Sequence, residues 1–282
     1  MANLQLLKRK IKTTQNVSKT TKAMQMIAAS KLNRAQTAAL STRPFVEKVT
    51  KLTSGAASKL DSDQKHAYMK ENKNAKTLAI VFTPDKGLCG AMVTNIIRQV
   101  AEFDLANKSV SYIAVGKKAQ LTLAAFGKEV IAAFDFGNSF PTFNQVLPLL
   151  EVIGNEFLTG KVGNVKVIYT NFKSVFSQSP QVTDLLPITF GNSVEPQTSQ
   201  TLFEPSVSEI LPELLRQYLE MNIYQFFLEN YLSYQAAQMI AMQNATDNAL
   251  DLIKDLKLEY NKTRQEKITN EILDISSGVF SL

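Results

Sequence analysis

Cysteine and histidine are almost missing from this chain, and their scarcity closes off several chemistries before any motif is sought. The single cysteine, Cys89, excludes an internal disulfide and any multi-cysteine metal site, and it fits a reducing compartment. The single histidine, His66, lies in the polar stretch 61–74, which reads as a mobile connector, so a catalytic Cys/His pair is not expected. Metal binding fails for lack of ligands, and no cofactor site is expected. No stretch approaches the roughly 20 consecutive apolar residues of a membrane-spanning helix, so no direct membrane span is expected. The N-terminus turns basic by Lys8 with no apolar run or small-residue cleavage site after it, and secretion is not expected either.

Glycine and proline are absent from two long stretches, and this is the most informative local signal. From Met1 to Arg43 there is neither, and residues 213–277 contain neither across 65 positions before Gly278. Ala, Lys, Leu and Gln dominate the first stretch, so a helix is expected to about residue 55, with room for a bend at Pro44. At about 1.5 Å per residue the second stretch would be a rod of roughly 95 Å, too long to fold inside a globule of this size.

Apolar spacing says what these helices want. Met242, Ala245, Ala249, Leu252, Leu256 and Tyr260 step by three or four residues, the seam of a coiled coil. Leu4, Leu7, Ile11, Ala28, Leu32, Ala35 and Ala39 keep the same spacing, with the polar Thr14, Ser18, Thr21 and Gln25 between them. A second stripe, Val17, Met24 and Ile27, is offset from the first, as when a coiled coil slips register or meets another surface. With one seam per helix, an antiparallel intramolecular pair is the simplest solution and a homodimeric coiled coil the alternative.

Charge is unevenly placed. Residues 1–51 carry eleven Lys or Arg against one acid, a balance of +10, while residues 213–282 hold ten acids and six bases. A basic end suits a polyanion or an acidic protein surface. Lys8, Arg9, Lys10, Lys12, Lys19 and Lys22 could neutralise phosphates, which makes a coiled-coil nucleic-acid-binding protein the alternative function, but no aromatics interleave and no base-reading module is present.

Between the helices, β-branched runs alternate with helical patterns. Strands are expected at Thr77–Phe82, Val110–Val115, Glu129–Phe134 and Val165–Asn171, and helices at Gly90–Phe103, Lys117–Phe126 and Phe143–Leu158. This is a Rossmann-like α/β domain with a mainly parallel sheet, to which Ser174–Val182 adds an antiparallel edge, with Gly191–Ser206 as a surface loop. The expected organisation is an N-terminal helix over 1–58, a connector over 59–76, the α/β domain over 77–206 and a C-terminal helix over 207–282. The loop Pro84-Asp-Lys-Gly-Leu-Cys-Gly90 sits where nucleotide-binding folds cradle phosphate, yet Lys86 precedes the glycines, and a structural turn is the better reading. No carboxylates in the domain cluster as a paired acid and base, so no self-sufficient active site is expected.

Two stretches carry a family resemblance: Val17-Ser-Lys-Thr-Thr-Lys-Ala-Met-Gln-Met-Ile-Ala-Ala-Ser-Lys-Leu32, and Ala241-Met-Gln-Asn-Ala-Thr-Asp-Asn-Ala249 with Leu258-Glu-Tyr-Asn-Lys-Thr-Arg-Gln-Glu-Lys-Ile-Thr-Asn-Glu-Ile272. Together with Asp85-Lys-Gly-Leu-Cys-Gly90 they resemble the γ subunit of F-type ATP synthases from end to end. The resemblance implies a coiled-coil shaft turning inside a hexamer of α and β subunits, with the α/β domain as a foot on the membrane rotor ring of c subunits. It further implies an ε subunit as partner, no nucleic acid, nucleotide sites on α and β alone, and the cytoplasmic face of a bacterial membrane rather than the mitochondrial matrix side. By position, Lys22, Met24, Gln238, Gln265, Thr269 and Glu271 would face the β subunits and their sleeve, and Phe203 and Glu204 the rotor ring. The family usually carries Arg and Lys in the run that reads here Ala236-Ala-Gln-Met-Ile-Ala-Met-Gln243. With Gln238 uncharged, a guanidinium–carboxylate pair would give way to a weaker neutral hydrogen bond. The paired-cysteine insertion of the chloroplast type is missing, so thiol switching through Cys89 is not expected.

Overall fold

The computed structural model describes residues 2–59, 66–72, 74, 76–107, 109–137, 139–190, 204 and 206–279. They form two compact units: Met1–Ala29 with Gln238–Leu282, and Ser30–Ala237. Two helices take part in both, α1 (Ala2–Ala57) and α5 (Val207–Val279).

In the first unit the seam of α1 forms as the spacing requires, with Leu7, Ser18 and Ala28 buried and Leu4, Ile11, Thr14 and Thr21 half-buried. On α5 the seam is Met242, Thr246, Ala249, Ile253 and Leu256, followed by half-buried Tyr260. This corrects the expected register at two places: Leu252 is 49% exposed while Ile253 is 8% exposed, and Ala245 is only half-buried beside Thr246. The spacing from 242 to 260 alternates four and three residues strictly, as a coiled coil demands. Counting apolar residues alone passes over Thr246, which sits in the seam because its hydroxyl meets that of Thr21 at 2.7 Å. Thr246 Oγ1 also bonds the Met242 carbonyl at 2.8 Å, so this buried polar pair is satisfied. In the second unit Thr53 Oγ1 approaches the Leu214 carbonyl at 3.5 Å. The later residue of α1 thus meets the earlier residue of α5, the order of an antiparallel pair.

The second unit holds a five-stranded sheet in the order β3-β2-β1-β4-β5. Its strands are β1 (Thr77–Phe82), β2 (Val110–Val115), β3 (Val130–Phe134), β4 (Asn164–Ser174) and β5 (Ser177–Leu186). The first four run parallel and β5 returns antiparallel on β4, an edge strand beginning three residues later than expected because Val175–Phe176 make the turn. All six residues of β1 are buried, the mark of a central parallel strand covered on both faces. On one face α2 (Met92–Ala106) and α3 (Lys117–Ala125) contribute Ile96, Val100, Phe103, Ala119 and Leu123 to a cluster with Ala79, Val81, Tyr112 and Ala114. Aromatic residues of α5 meet other strand and loop residues: Phe227 packs edge-on against Phe82 at 4.9 Å and stacks with Phe136 at 5.8 Å, and Phe226 lies 4.7 Å from Tyr169. The segment α4 (Val146–Leu158) buries Val146, Leu149, Ile153 and Phe157 at helical spacing.

The described part of the 61–74 connector is docked rather than loose. His66 caps a 3₁₀ turn at Ala67–Met69, and the Tyr68 carbonyl accepts from Ile188 N at 2.8 Å. Asn72 Nδ2 donates to the carbonyls of Phe157 and Val162 at 2.8 and 3.0 Å. The polarity that suggested mobility is hydrogen-bonding capacity spent on neighbouring backbone. The expected loop 191–206 lies outside the described residues apart from Glu204 and Ser206. Ser206 opens α5 as a capping residue, its hydroxyl paired with Glu209 N at 3.4 Å and Oε1 at 3.0 Å.

Candidate functional site

The β1–α2 loop is the first place to test for chemistry, because it leaves the carboxyl end of a central parallel strand. Its Asp85 turns inward. Oδ1 accepts from Lys117 N at 2.9 Å and more weakly from Phe136 N at 3.3 Å, and Oδ2 accepts from Gly137 N at 2.7 Å. Thr83 Oγ1 accepts from Ala119 N at 2.7 Å. The amides at the start of α3, which an anion would need, are therefore held by the chain's own side chains. Gly116, with φ +101°, completes the latch, since a Cβ there would lie 2.0 Å from the Thr83 carbonyl oxygen. The loop is the structural turn that its sequence suggested. Its motif was legible in the sequence; that the Asp85 carboxylate clamps three amides from two distant segments was not.

Cys89 is buried against Met92 and Tyr234. Desolvation by burial pushes its thiol pKa up, the opposite of what a nucleophile requires. Among the described residues no group of three or more His, Cys, Asp or Glu is placed to hold a metal ion.

Most of the remaining candidates belong to the first unit. At 100° per residue, α1 shows three faces there. One is the seam. A second carries Lys8, Lys12, Lys19 and Lys22, all exposed, with Lys22 Nζ donating to Gln25 Oε1 at 3.1 Å. The third carries Leu6 and Val17, both exposed, and half-buried Met24. Lys22 and Met24 consequently point to different sides. On α5, Gln265 and Thr269 share a face with Leu258, Ile268 and Ile272, all exposed, and Thr269 Oγ1 donates to the Gln265 carbonyl at 2.9 Å. Glu271 falls on the flank of the seam and pairs with Lys267 at 3.3 Å. Gln238, where the first unit resumes, is half-buried. Glu204 is exposed, and Phe203 lies outside the described residues.

A family model described as ATP synthase matches residues 3–282. The chain is 39% identical over 284 residues to an ATP synthase gamma chain of Dehalococcoides mccartyi, covering all of both chains. It is 36% identical to the ATP synthase gamma chain of Flavobacterium psychrophilum, covering 100% of this chain and 99% of that one. Among solved structures, a chain of the Euglena gracilis mitochondrial ATP synthase (OSCP, F1 and c-ring, rotational state 3) superposes with a TM-score of 0.70 at 18% identity, covering 99% of this chain and 94% of that chain. A chain of the Tetrahymena thermophila mitochondrial ATP synthase, from its central stalk and c-ring, gives 0.61 at 24% identity, covering 80% of this chain and 98% of that chain.

Proposed function

Because the chain belongs to the family of ATP synthase γ subunits, we propose that it works through the outer faces of its paired terminal helices, with no active site of its own. As a γ subunit it is the central rotary shaft that couples proton translocation to ATP synthesis or hydrolysis on the β subunits. It is a peripheral part of a membrane-bound complex, and among the described residues no helix is long and apolar enough to cross a membrane. Its partners are the α and β subunits of the catalytic hexamer, the ε subunit and the c-ring. The working contacts are Lys22, Met24, Gln238, Gln265, Thr269 and Glu271 toward the β subunits and their sleeve, and Phe203 and Glu204 toward the rotor ring. The assembly stands on the cytoplasmic face of a bacterial membrane. Shaft helices over 1–58 and 207–282, joined to a foot over 77–206 by the segment 59–76, complete the assignment.

The observation that carries this reading is the unlikeness of the outer faces. One side of α1 is a row of lysines, another a stripe of Leu6, Val17 and Met24, and the exposed face of α5 mixes Leu258 and Ile272 with Gln265 and Thr269. A rod that must bias three chemically equivalent partners in turn has to present different surfaces to each, and a surface can shift a partner's conformation only by its differential affinity for the two states. Solvated polar contacts of about 0 to 1 kcal/mol each can be made and released in rotation. Nothing in the fold or among the similar proteins favours the nucleic-acid reading of the basic helix.

The test uses Gln265→Cys, cross-linked to a cysteine on the facing β subunit of the assembled enzyme. Cys89 is buried and leaves the engineered thiol as the reactive one. ATP hydrolysis should stop on oxidation and return on reduction; steady-state hydrolysis untouched by a complete cross-link would sink the rotary role. Gln238→Arg addresses the neutral contact, with near-native hydrolysis expected and a large gain counting against a working native Gln.

A further inference from the structure

The outer surface of the α/β unit carries a groove of about 600 Å³ between α2, α3 and the β1–α2 loop, and the shaft function makes no use of it. Val93 and Ile97 of α2 line one wall, Leu121 and Ala125 of α3 the other, and Phe126 closes one end. Leu88 forms the opposite end. It is a non-glycine residue at φ +63°, held in the left-handed region with its side chain 61% exposed. Such a conformation costs free energy and turns a leucine toward water, which marks this turn as a candidate contact.

The apolar surface runs beyond the groove proper. Val93, Ile97, Ala101 and Leu105 follow at four-residue steps along α2, and Leu105 is 88% exposed while Leu121 across the groove is 64% exposed. The twelve rises from Val93 to Leu105 make this ridge about 18 Å long. That is the length of a helix of three to four turns, and side chains at i, i+4, i+7 and i+11 would seat along it.

Charge selects the occupant. Lys118 lines the groove, and Lys86 and Lys117 are exposed at the same end, where α2 and α3 both begin. The N-terminus of α2, which no side chain caps, adds partial positive charge there, whereas that of α3 is already taken by Asp85 and Thr83. The nearby carboxylates are otherwise engaged or distant: Asp85 accepts from the amides of Lys117 and Gly137, Asp104 pairs with Lys128, and exposed Glu102 sits toward the far end of α2. We propose that this groove docks an acidic amphipathic helix of a partner protein, three to four turns long. Its apolar face lies on Ile97, Leu105 and Leu121, and its carboxylates or its C-terminal end lie at Lys86 and Lys118.

The test places a photoreactive residue in the full chain, Leu121→p-benzoylphenylalanine, within the assembled enzyme in its native host. The cross-linked segment is sequenced, and a synthetic peptide of it is titrated into the purified full chain. The expected segment has helical apolar spacing and a surplus of Asp and Glu. Its affinity should fall at least tenfold in Lys118→Glu and in Leu121→Asp, and should weaken with added salt. Circular dichroism of both variants checks that these exposed positions leave the fold intact. A basic or extended segment, a lipid adduct, a second copy of this chain, an absence of cross-linking, or a peptide indifferent to both substitutions would overturn the proposal.

Discussion

Replacing Asp85 by alanine should loosen the α/β unit at two places far apart in sequence, because one carboxylate serves both. The two short bonds, to Lys117 N at 2.9 Å and Gly137 N at 2.7 Å, are charge-assisted, and each is worth about 1.5 kcal/mol, the lower end of the charged range, because the site is part-exposed. The 3.3 Å contact to Phe136 N adds little. The unit should lose about 3 kcal/mol, roughly a hundredfold in its folding equilibrium. Seven of the eight tyrosines lie in this unit, Tyr260 being the exception, and the chain has no tryptophan, so tyrosine near-ultraviolet circular dichroism in urea reads its unfolding almost alone. Hydrogen exchange should also quicken at the amides of Lys117 and Gly137, by about tenfold at each from the local loss. Asp85→Asn separates the two sites: Oδ1 keeps the Lys117 bond while the amide nitrogen faces the Gly137 N–H, donor against donor, so exchange should quicken mainly at Gly137. An unfolding free energy from urea titration that changes by less than about 0.5 kcal/mol in Asp85→Ala, with unchanged exchange at both amides, would refute the latch.

Gly116→Ala combines a left-handed backbone with a Cβ 2.0 Å from the Thr83 carbonyl oxygen, and should cost the same unit about 3 kcal/mol or more by the same dichroism. The corrected seam predicts that Ile253→Ala loosens the helix pair by about 2 to 4 kcal/mol while Leu252→Ala stays within about 0.5 kcal/mol, with exchange across residues 242–260 as the measurement. Hydrogen bonding from Lys128, aided by Tyr112, holds the Asp104 carboxyl below its ordinary range. Its contribution is therefore present at neutral pH and lost as pH falls below about 4, through its folded value. The urea midpoint should fall less between pH 7 and pH 3.5 in Asp104→Asn than in the unsubstituted chain.

Much of the architecture was legible because it rests on local rules. Long stretches without Gly or Pro became α1 and α5, and the runs at 77–82 and 110–115 became strands with those bounds, since their residues suit a pleated, doubly covered sheet. The α5 register was missed by one residue at Ile253, because period alone cannot choose between adjacent apolar positions when the true seam passes through a threonine. The docked segment around Tyr68 and Asn72 was missed for a related reason: the carbonyls that satisfy Asn72 belong to Phe157 and Val162, more than eighty residues away.

The amino-acid sequence by itself determined the helices, the parallel sheet, the basic end, the poverty of reactive groups and the family, all properties of neighbouring residues or of motifs read in order. Tertiary structure alone decided which threonines meet across the seam, that Asp85 spends its charge inside the fold, and which exposed side chains share a face. These depend on distances between residues far apart in the chain, which no local pattern encodes. The same holds for the groove beside Leu88, where two helices, a strained turn and three lysines converge only once the sheet has formed.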